Sequence, residues 1–437
     1  MKNFQIIILI VFIAAGVFGL LVFSGAIPLG SSGGTNGASG TVVLWGTVSL
    51  ANISTALDDF NRVNTGFTVK YVQKDADTFD QDLLEALASG TGPDMFLLPD
   101  DLAYHYSNKI YTIPYQSYPL ASFKTTFAGA GEVFLNSNGI LAFPLTIDPL
   151  VMYYNRSMFD ANNIVSPPKS WDDFSSLVPL LNKKNTNNQI TKSAVALGQF
   201  SNISNAKDIL VTLFMQAGNP IIAEKNNSYY STLSDNAGYS SIDLSSALTF
   251  YSNFADPLNT IYSWNKSLSN SQDFFSANNL GIYFGFASEL PDIVKKNPNL
   301  DFSVAPIPQT KDANFKLTSA RVTGIAISAF SKNLNTAVTA ASLMATGDFA
   351  SEFAKALALP PARRDLLAVK QTDAFSPIFY GSALYAKSWL DPSPKDSNNI
   401  FQTMVENVLS GNMEVYNAVQ DANSKLSLLL NQYNTSQ

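Results

Sequence analysis

Short apolar runs and helix-like stripes alternate regularly at the start of the predicted folded body, and this alternation is the strongest constraint on the fold. Residues 41–45 form an apolar run that ends at a glycine, and residues 67–71 and 94–98 form two further strand-like runs. Between them, apolar residues recur at helical spacing over residues 53–63 and 79–87. The order β-α-β-α-β implies parallel strands joined by crossover helices, so the pattern predicts an α/β fold.

The carboxyl ends of the predicted strands carry the first candidate ligand-binding residues. In open parallel sheets, ligands bind beyond these ends. Trp45 ends the first strand, and Asp100 and Asp101 follow Pro99 at the end of the third strand. The alternative for Trp45 is an ordinary core residue. For the two aspartates, the alternative is capping of the helix that follows.

The residue types that the chain lacks exclude several classes of function. The 437 residues include no Cys, which excludes disulfides, thiolate metal sites and Cys nucleophiles. A Ser-His-Asp triad or a His-rich metal site would need His105, the only histidine. The five Arg are scattered in a chain of net charge −7, whereas nucleic-acid binding requires clustered basic charge. We therefore expect no metal, no cofactor and no nucleic-acid partner.

An uncharged apolar segment precedes the predicted body. Ile6–Phe23 has 18 residues without a charge, and a helix of that length nearly spans a hydrocarbon core of ~30 Å. The basic Lys2 favours an orientation with the body outside the cytoplasm. We expect residues 1–29 to be a transmembrane helix that anchors the chain in the cell membrane. The alternative is a signal sequence cleaved near Ser24–Ala26, which would leave the body secreted. Residues 30–40 are a Gly/Ser-rich linker.

Several short motifs match one family in order and spacing over roughly residues 41–370. In this respect the chain resembles the extracellular solute-binding proteins of ABC importers, in the sugar-binding branch that includes maltose-binding protein. The matching segments are residues 90–96 (GTGPDMF), 139–144 (GILAFP), 152–155 (MYYN), 167–174 (PPKSWDDF), 281–285 (GIYFG) and 301–308 (DFSVAPIP).

The resemblance implies a two-lobed fold of the periplasmic-binding-protein type II kind, with an interlobe cleft. By analogy, the first lobe comprises residues 41–147 with 305–346, and the second comprises residues 148–304 with 347–437. One of the crossings between lobes then lies near Thr346–Gly347. Closure of the cleft would be a hinge motion about the few residues at such crossings.

The same resemblance implies a function and partners. The body captures a carbohydrate in the cleft outside the cell and delivers it to the transmembrane subunits of an ABC permease. The mechanism is binding followed by closure, with no catalysed reaction. We expect a monomer that contacts the membrane through its N-terminal helix.

Charged cleft residues carry over from the family to individual positions. Asp148 matches the carboxylate on the first crossing strand that often touches ligand, and Asp101 matches a sugar-bonding carboxylate. Ionised carboxylates accept strong hydrogen bonds from sugar hydroxyls. Arg321 precedes residues 322–324 (VTG), where the family often has paired Gly, and it lies near enough to reach the cleft. The alternative for Asp148 is a turn acceptor, because it precedes Pro149.

The aromatic residues that stack on sugar rings do not carry over directly. Leu98 and Ser288 occupy positions at which maltose-binding relatives have Trp. We expect the stacking faces to come instead from Trp45, Trp264, Phe286 and Tyr380. A maltodextrin ligand is therefore not implied by these positions.

Two other classes of function remain open at this point. The first is an adhesin or sensor that uses the same scaffold without taking part in transport. A glycosidase with a pair of catalytic carboxylates is the enzyme alternative, because the chain has 34 Asp and Glu residues.

Overall fold

The structure is a computed structural model that describes residues 38–225, 228–234 and 244–434. Within these ranges, no helix is both long enough and apolar enough to cross a membrane. The predicted anchor, residues 1–29, and nearly all of the linker lie outside the described residues.

The described residues contain fifteen strands. In chain order they are β1 (Gly40–Gly46), β2 (Phe67–Gln73), β3 (Met95–Pro99), β4 (Ile113–Pro114), β5 (Leu135–Asn136), β6 (Gly139–Ile140), β7 (Ala142–Asn155), β8 (Lys183–Lys184), β9 (Ile190–Val195), β10 (Ile222–Lys225), β11 (Ser228–Ser231), β12 (Leu280–Phe286), β13 (Phe302–Ala305), β14 (Thr318–Ile327) and β15 (Ala386–Lys387).

Sixteen α-helices accompany the strands in the described part of the chain. They are α1 (Leu50–Val63), α2 (Phe79–Ala88), α3 (Ala103–Tyr106), α4 (Leu120–Thr126), α5 (Arg156–Asp160), α6 (Phe174–Leu181), α7 (Ala206–Gln216), α8 (Leu244–Asn253), α9 (Ser271–Ser276), α10 (Leu290–Lys296), α11 (Leu334–Thr346), α12 (Asp348–Ala356), α13 (Arg364–Leu367), α14 (Ser376–Ala383), α15 (Pro394–Leu409) and α16 (Val415–Asn434).

The first three strands form the predicted parallel unit. β1 lies between β2 and β3 and runs parallel to both, and α1 and α2 connect the three strands. The buried residues of α1 are the apolar stripe that its sequence predicts, including Ile53 and Phe60. β14 pairs antiparallel with β3, and the first part of β7 pairs antiparallel with β14. We call this half of the sheet, with its helices, the first lobe.

The long strand β7 connects the two halves of the sheet. Its residues 142–149 pair with β14, whereas its residues 150–154 pair with β12 on one side and its residues 152–155 pair with β13 on the other. β12 in turn runs parallel to β9, and β9 pairs with β8. We call this second half, with its helices, the second lobe. The predicted α/β fold with two lobes is confirmed.

The second lobe is built on an extended apolar core. Trp171 stacks on Phe174 with ring centroids 5.8 Å apart and meets Phe284 edge-on at 5.6 Å. The indole N–H of Trp171 donates to Gln216 Oε1 at 2.6 Å. Because aromatic rings bury large areas and pack in defined geometries, this core fixes α6 and α7 on the sheet and so places the first turn of α7.

The segment after α11 packs on the first lobe. Phe349 of α12 packs edge-on against Phe60 of α1, with ring centroids 5.8 Å apart. Further along, the N–H of Ile147 donates to the carbonyl of Pro360 at 2.9 Å. α14 then packs into the apolar core of the second lobe. The chain thus keeps contacting the first lobe beyond Thr346–Gly347, because α12 buries its apolar side against α1.

Candidate ligand-binding site

Asp100 lies in a 3-10 turn (Asp100–Leu102) directly after β3, where it is 7% exposed. Its Oδ1 accepts the N–H of Val322 on β14 at 2.9 Å, and its Oδ2 accepts the hydroxyl of Ser388. Burial raises the pKa of Asp100 to about 7, and the negative charge of Asp101 adds to this, against the opposing hydrogen bonds. A fraction of this carboxyl is therefore protonated near neutral pH.

Asp101 follows on the same turn and is half-buried. Burial raises the pKa of its carboxyl, and Asp391 and Asp208 add to this effect. The positive charges of Lys207 and Arg321 oppose it. Asp101 thus lies among charged groups from both lobes.

Asp148 lies on β7 at the point where this strand passes between the lobes, directly opposite Arg321 of β14. It is 8% exposed, and its Oδ1 accepts the N–H of Ser288 at 2.9 Å. Burial raises the pKa of Asp148 to about 6, although the hydrogen bonds from Ser288 and the charge of Arg321 lower it. This carboxylate therefore links the crossing strand to the turn that follows β12.

Arg321 covers an aromatic ring and faces several carboxylates. Its Cζ lies 3.8 Å from the ring centroid of Phe286, the last residue of β12, and its Nη2 lies 3.5 Å from Asp208 Oδ2. Burial disfavours the guanidinium charge, but Asp208, Asp148 and other carboxylates outweigh this effect and raise its pKa. The side chain is nevertheless 54% exposed. A guanidinium in this position is accessible to a ligand.

These residues come from different elements and meet between the lobes. We call Asp100, Asp101, Asp148, Asp208 and Arg321 the cleft cluster. The first two follow β3 of the first lobe, and Asp208 lies in the first turn of α7 of the second lobe. Asp148 and Arg321 lie on the two long strands between them. The cluster therefore lies where the two halves of the sheet join, around β7 and β14.

Lys207 and Asp391 form a buried ion pair beside the cleft cluster. Lys207 Nζ lies 2.7 Å from Asp391 Oδ2, and the two side chains are 15% and 3% exposed. The hydroxyl of Ser397 also donates to Asp391 Oδ2, at 2.8 Å. The pair ties the first turn of α7 to the segment that precedes α15, and it places a positive charge near Asp101.

Glu289 organises the turn that follows β12. Its two carboxylate oxygens accept hydrogen bonds from the hydroxyl of Tyr283, the amides of Asn205 and Gln272, and the N–H of Phe286. All these donors lie in the second lobe. Phe286, whose ring lies under Arg321, and Ser288, whose N–H binds Asp148, flank this turn. Glu289 therefore positions both residues without belonging to the cleft cluster.

The other predicted aromatic residues are not brought to the cleft cluster by any contact within the described ranges. Trp45 is half-buried at the end of β1, with Lys74 Nζ 3.8 Å from its ring centroid. Trp264 is fully buried, and its indole N–H donates to Asn202 at 3.1 Å. Tyr380 is half-buried on α14 and packs against the core of the second lobe. The expected stacking face of Trp264 is therefore absent, because the core of the second lobe covers its ring.

The sequence analysis did not identify the side chains that α7 and the segment after β15 place at or beside the cleft cluster. α7 begins beyond the carboxyl end of β9, so the strand-end rule that led to Asp101 would also have led to Lys207 and Asp208. Ser388 and Asp391 carry no such signal, because they lie in an irregular segment that only the tertiary fold brings to the cleft.

The chemistry of the cleft cluster suits a polar ligand that bears hydroxyl groups. Carboxylates accept hydrogen bonds from hydroxyls and a guanidinium donates them, and such charge-assisted bonds are stronger than neutral ones. In the part of the chain that the structure describes, no group of three or more His, Asp or Glu residues is arranged to hold a metal ion.

Solved structures of binding proteins share this fold. A cyclo/maltodextrin-binding protein in complex with maltotetraose has a TM-score of 0.72 at 16% identity, covering 90% of this chain and 98% of that one. The cyclic α-maltosyl-1,6-maltose-binding protein of Arthrobacter globiformis has a TM-score of 0.71 at 14% identity, covering 90% and 99%. The GacH receptor of Streptomyces glaucescens, studied with acarbose, has a TM-score of 0.64 at 19% identity, covering 90% and 99%.

At the level of sequence, no curated protein matches the chain. The sequence model of the bacterial extracellular solute-binding proteins matches residues 55–376, which is more than half of the chain. The chain belongs to this family of bacterial extracellular solute-binding proteins.

Proposed function

We propose that the protein captures a carbohydrate between its two lobes outside the cell and delivers it to an ABC permease. The observation that carries this proposal is the cleft cluster, in which both lobes and both long strands contribute groups suited to hydroxyls. Three solved structures with the same fold are those of a protein bound to maltotetraose, a protein that binds cyclic α-maltosyl-1,6-maltose and a receptor studied with acarbose. These compounds are carbohydrates or related to them.

Binding is proposed to proceed by closure of the lobes over the ligand. Asp101 on the first lobe and Asp208 on the second would accept hydroxyls from opposite sides, while Asp148 and Arg321 contact the ligand from the strands between them. Each hydrogen bond to a charged group contributes about 1.5–3 kcal/mol. Because the ligand bonds to both lobes only in the closed state, it favours closure by differential affinity.

The proposed lobes follow the strand pairing except on β7, where the crossing is set between Ile147 and Asp148 as in the family analogy. The first comprises residues 41–147 and 318–367, and the second comprises residues 148–317 and 368–434. Unlike the family analogy, this division assigns the loop between β13 and β14 to the second lobe. The amide of Gln216 on α7 donates to the carbonyls of Pro308 and Leu317 at the two ends of this loop, at 3.0 and 2.8 Å. The hinge is then centred on β7, β14 and the chain after α13.

The cellular location is proposed from the sequence. Residues 1–29 anchor the chain in the cell membrane as a single-pass helix, and the body lies outside the cytoplasm. Confinement near the membrane raises the effective concentration of the receptor at its permease. Protein recovered from the medium rather than from the membrane fraction would indicate a cleaved signal sequence instead.

A thermal-shift panel tests the proposed function. The full-length chain, purified in a detergent without a sugar headgroup, is melted with sugars, polyols, amino acids and peptides. A ligand at about 100 times its Kd stabilises the native state by about 2.7 kcal/mol. We expect a shift with one class of sugar that is lost in Asp148→Asn. No shift with any sugar, from a sample that melts cooperatively, would contradict the proposal and favour the adhesin or sensor alternative.

The proposed mechanism involves no catalysed reaction. The family and the proteins that share the fold are binding proteins. Hydrolysis of a chromogenic glycoside by the pure protein would revive the carboxylate-pair glycosidase.

A further inference from the structure

The cleft cluster carries more negative than positive charge. It contains four carboxyl groups and one guanidinium, so it has an excess of three negative charges when all of its groups are ionised. The neighbouring pair of Lys207 and Asp391 does not change this balance, because its two opposite charges lie 2.7 Å apart. When Asp100, whose pKa is about 7, holds a proton, an excess of two remains. A ligand that brings only hydroxyl groups leaves this excess in place.

The carboxyl groups of the cleft cluster differ in the partners that the protein gives them. Asp100 and Asp148 are nearly covered, and each accepts a backbone N–H at 2.9 Å. Asp208 lies 3.5 Å from Nη2 of Arg321. Asp101 is half-buried, but within the described ranges its side chain has neither a hydrogen bond nor an ion pair. The carboxylate that lacks a partner is therefore that of Asp101.

The two cations that face Asp101 are bound to other groups. Lys207 Nζ is paired with Asp391, and it also donates to the hydroxyl of Ser397 at 3.3 Å. The guanidinium of Arg321 lies over an aromatic ring and near the carboxylate of α7. Burial raises the pKa of Asp101, so its ionised form lacks stabilisation. An ammonium group beside Asp101 would supply it, because hydrogen bonds between two charged groups are shorter and stronger than neutral ones.

The rest of the cleft cluster is suited to hydroxyl groups rather than to a second ammonium group. The side chain of Arg321 is 54% exposed and offers donors, and that of Asp208 is 19% exposed and offers acceptors. A polyamine has no hydroxyl groups, and its further amines would face the positive guanidinium. A ligand with one amine and several hydroxyls matches both parts of the cluster.

We propose that the ligand is an amino sugar, whose protonated amine binds Asp101 while its hydroxyl groups bind Arg321 and Asp208. This inference rests on the proposed function and makes it more specific, because it assigns a positive charge to the carbohydrate. The amine then bonds to the first lobe and the hydroxyls bond to the second. The net charge of −7 on the protein also favours the approach of a cation.

Titration calorimetry with matched sugars tests this inference at about pH 6.5, where the amine is protonated. Each set of probes has the same ring with an amine, a hydroxyl or an acetamide at carbon 2: glucosamine, glucose and N-acetylglucosamine, then the galactose equivalents. The β-1,4-linked oligomers of the glucose set extend the comparison to longer ligands. We expect the amine member of one set to bind the full-length chain about tenfold more tightly, or more, than the other two members. Added salt should weaken this preference, because ions screen the charges.

One variant removes the charge to which the amine is proposed to bind. Asp101→Asn keeps the shape of the side chain, and we expect it to lose most of the preference for the amine. The matched control is Asp172→Asn, which changes the net charge of the protein equally at an exposed position outside the cleft cluster. It should keep the preference of the wild-type protein.

The possible outcomes separate this inference from the proposed function. If a neutral sugar of these sets or of the thermal-shift panel binds as tightly as every amino sugar, the inference fails while the proposed function stands. If Asp101→Asn keeps the full preference for the amine, the inference fails as well. Spermidine has amines but no hydroxyl groups, and binding of spermidine more tightly than every amino sugar would also contradict the inference. If no sugar binds in either experiment, the proposed function itself fails.

Discussion

Two residues of the cleft cluster are carboxyl groups that burial makes costly to ionise. Asp100 and Asp148 are 7% and 8% exposed. Each accepts a backbone N–H, from Val322 and from Ser288 respectively. These bonds hold β14 and the turn after β12 in place, but they do not compensate fully for the loss of water, so the pKa of each carboxyl stays raised. Fully ionised carboxylates at these positions therefore destabilise the ligand-free protein.

The stability of the protein should accordingly fall as the pH rises through the range in which Asp100 ionises. Its pKa is about 7 in the folded state, against 3.8 as the ordinary value. Between these values the folded state holds a proton that the unfolded state has lost, so the free energy of unfolding decreases with rising pH, by an amount on the order of a few kcal/mol. We expect this decrease to be smaller in Asp100→Asn.

Melting curves between pH 4.5 and about 8 measure this difference. The exposed residue Asp172 provides the control, because Asp172→Asn should leave the slope of the wild-type protein unchanged. Parallel pH profiles for the wild-type protein and Asp100→Asn would show that Asp100 does not carry the effect.

Arg321 should matter for binding through both its charge and its planar shape. Its guanidinium lies 3.8 Å from the ring centroid of Phe286, which holds it in place, and a hydrogen bond from such a charged group to a sugar hydroxyl contributes about 1.5–3 kcal/mol. We expect Arg321→Ala to weaken sugar binding by roughly tenfold to a hundredfold, since 1.4 kcal/mol corresponds to tenfold. Arg321→Lys keeps the charge but loses the planar guanidinium, so its affinity should fall between those of the wild-type protein and Arg321→Ala.

Calorimetric titration with the sugar that stabilises the wild-type protein measures both variants. Binding by Arg321→Ala that equals or exceeds wild-type affinity would mean that the side chain only covers Phe286 and does not contact ligand.

Elements with strong local periodicity could be predicted from the sequence, and elements that depend on distant contacts could not. β1, α1, β2, α2 and β3 follow their apolar patterns, because each buries one stripe or one run against its neighbours. The same strand-end logic led to Asp100 and Asp101. Asp148 and Arg321 came only from the family resemblance, because no local pattern indicates that β7 and β14 pass between lobes.

The packing of α12 and the burial of Trp264 illustrate what the sequence did not indicate. α12 is amphipathic like any surface helix, and nothing local tells which lobe its apolar side will cover. Trp264 looks like a free aromatic residue in a polar segment, but Asn202 binds its N–H and Phe274 packs edge-on against its ring. Both outcomes depend on tertiary packing.

At the level of elements, the Lys207–Asp391 ion pair should contribute strongly to holding α7 against the start of α15. Lys207→Met would leave Asp391 as a buried charge with hydrogen bonds from Ser397 and the N–H of Ser393 but no cation. Breaking a buried ion pair in this way costs about 3–5 kcal/mol. The double variant Lys207→Met with Asp391→Asn removes both charges and should recover most of that loss.

Urea unfolding of the two single variants and the double variant completes this cycle. If Lys207→Met is as stable as the wild-type protein, then the pair contributes nothing and the first turn of α7 is held by packing alone.

At the scale of the whole molecule, we expect ligand capture to shorten the distance between the lobes. Under the proposed division, β7, β14 and the chain after α13 connect the two lobes, and both lobes contribute to the cleft cluster. A few residues at such connections can absorb a hinge rotation while each lobe moves as a unit. Contacts across the lobes, such as Tyr104 with Tyr229, should then form and break together with the ligand contacts.

The measurement that tests the central claim most directly is the distance between the lobes with and without sugar. The chain contains no Cys, so Asp77→Cys and Ser269→Cys place spin labels at two exposed positions only, one on each lobe. Pulsed electron resonance then reports the distribution of distances between the labels. We predict that a saturating amount of the sugar identified in the thermal-shift panel moves this distribution to shorter distances, and that Asp148→Asn prevents the shift. A distribution that stays unchanged while the sugar is bound would contradict capture between the lobes.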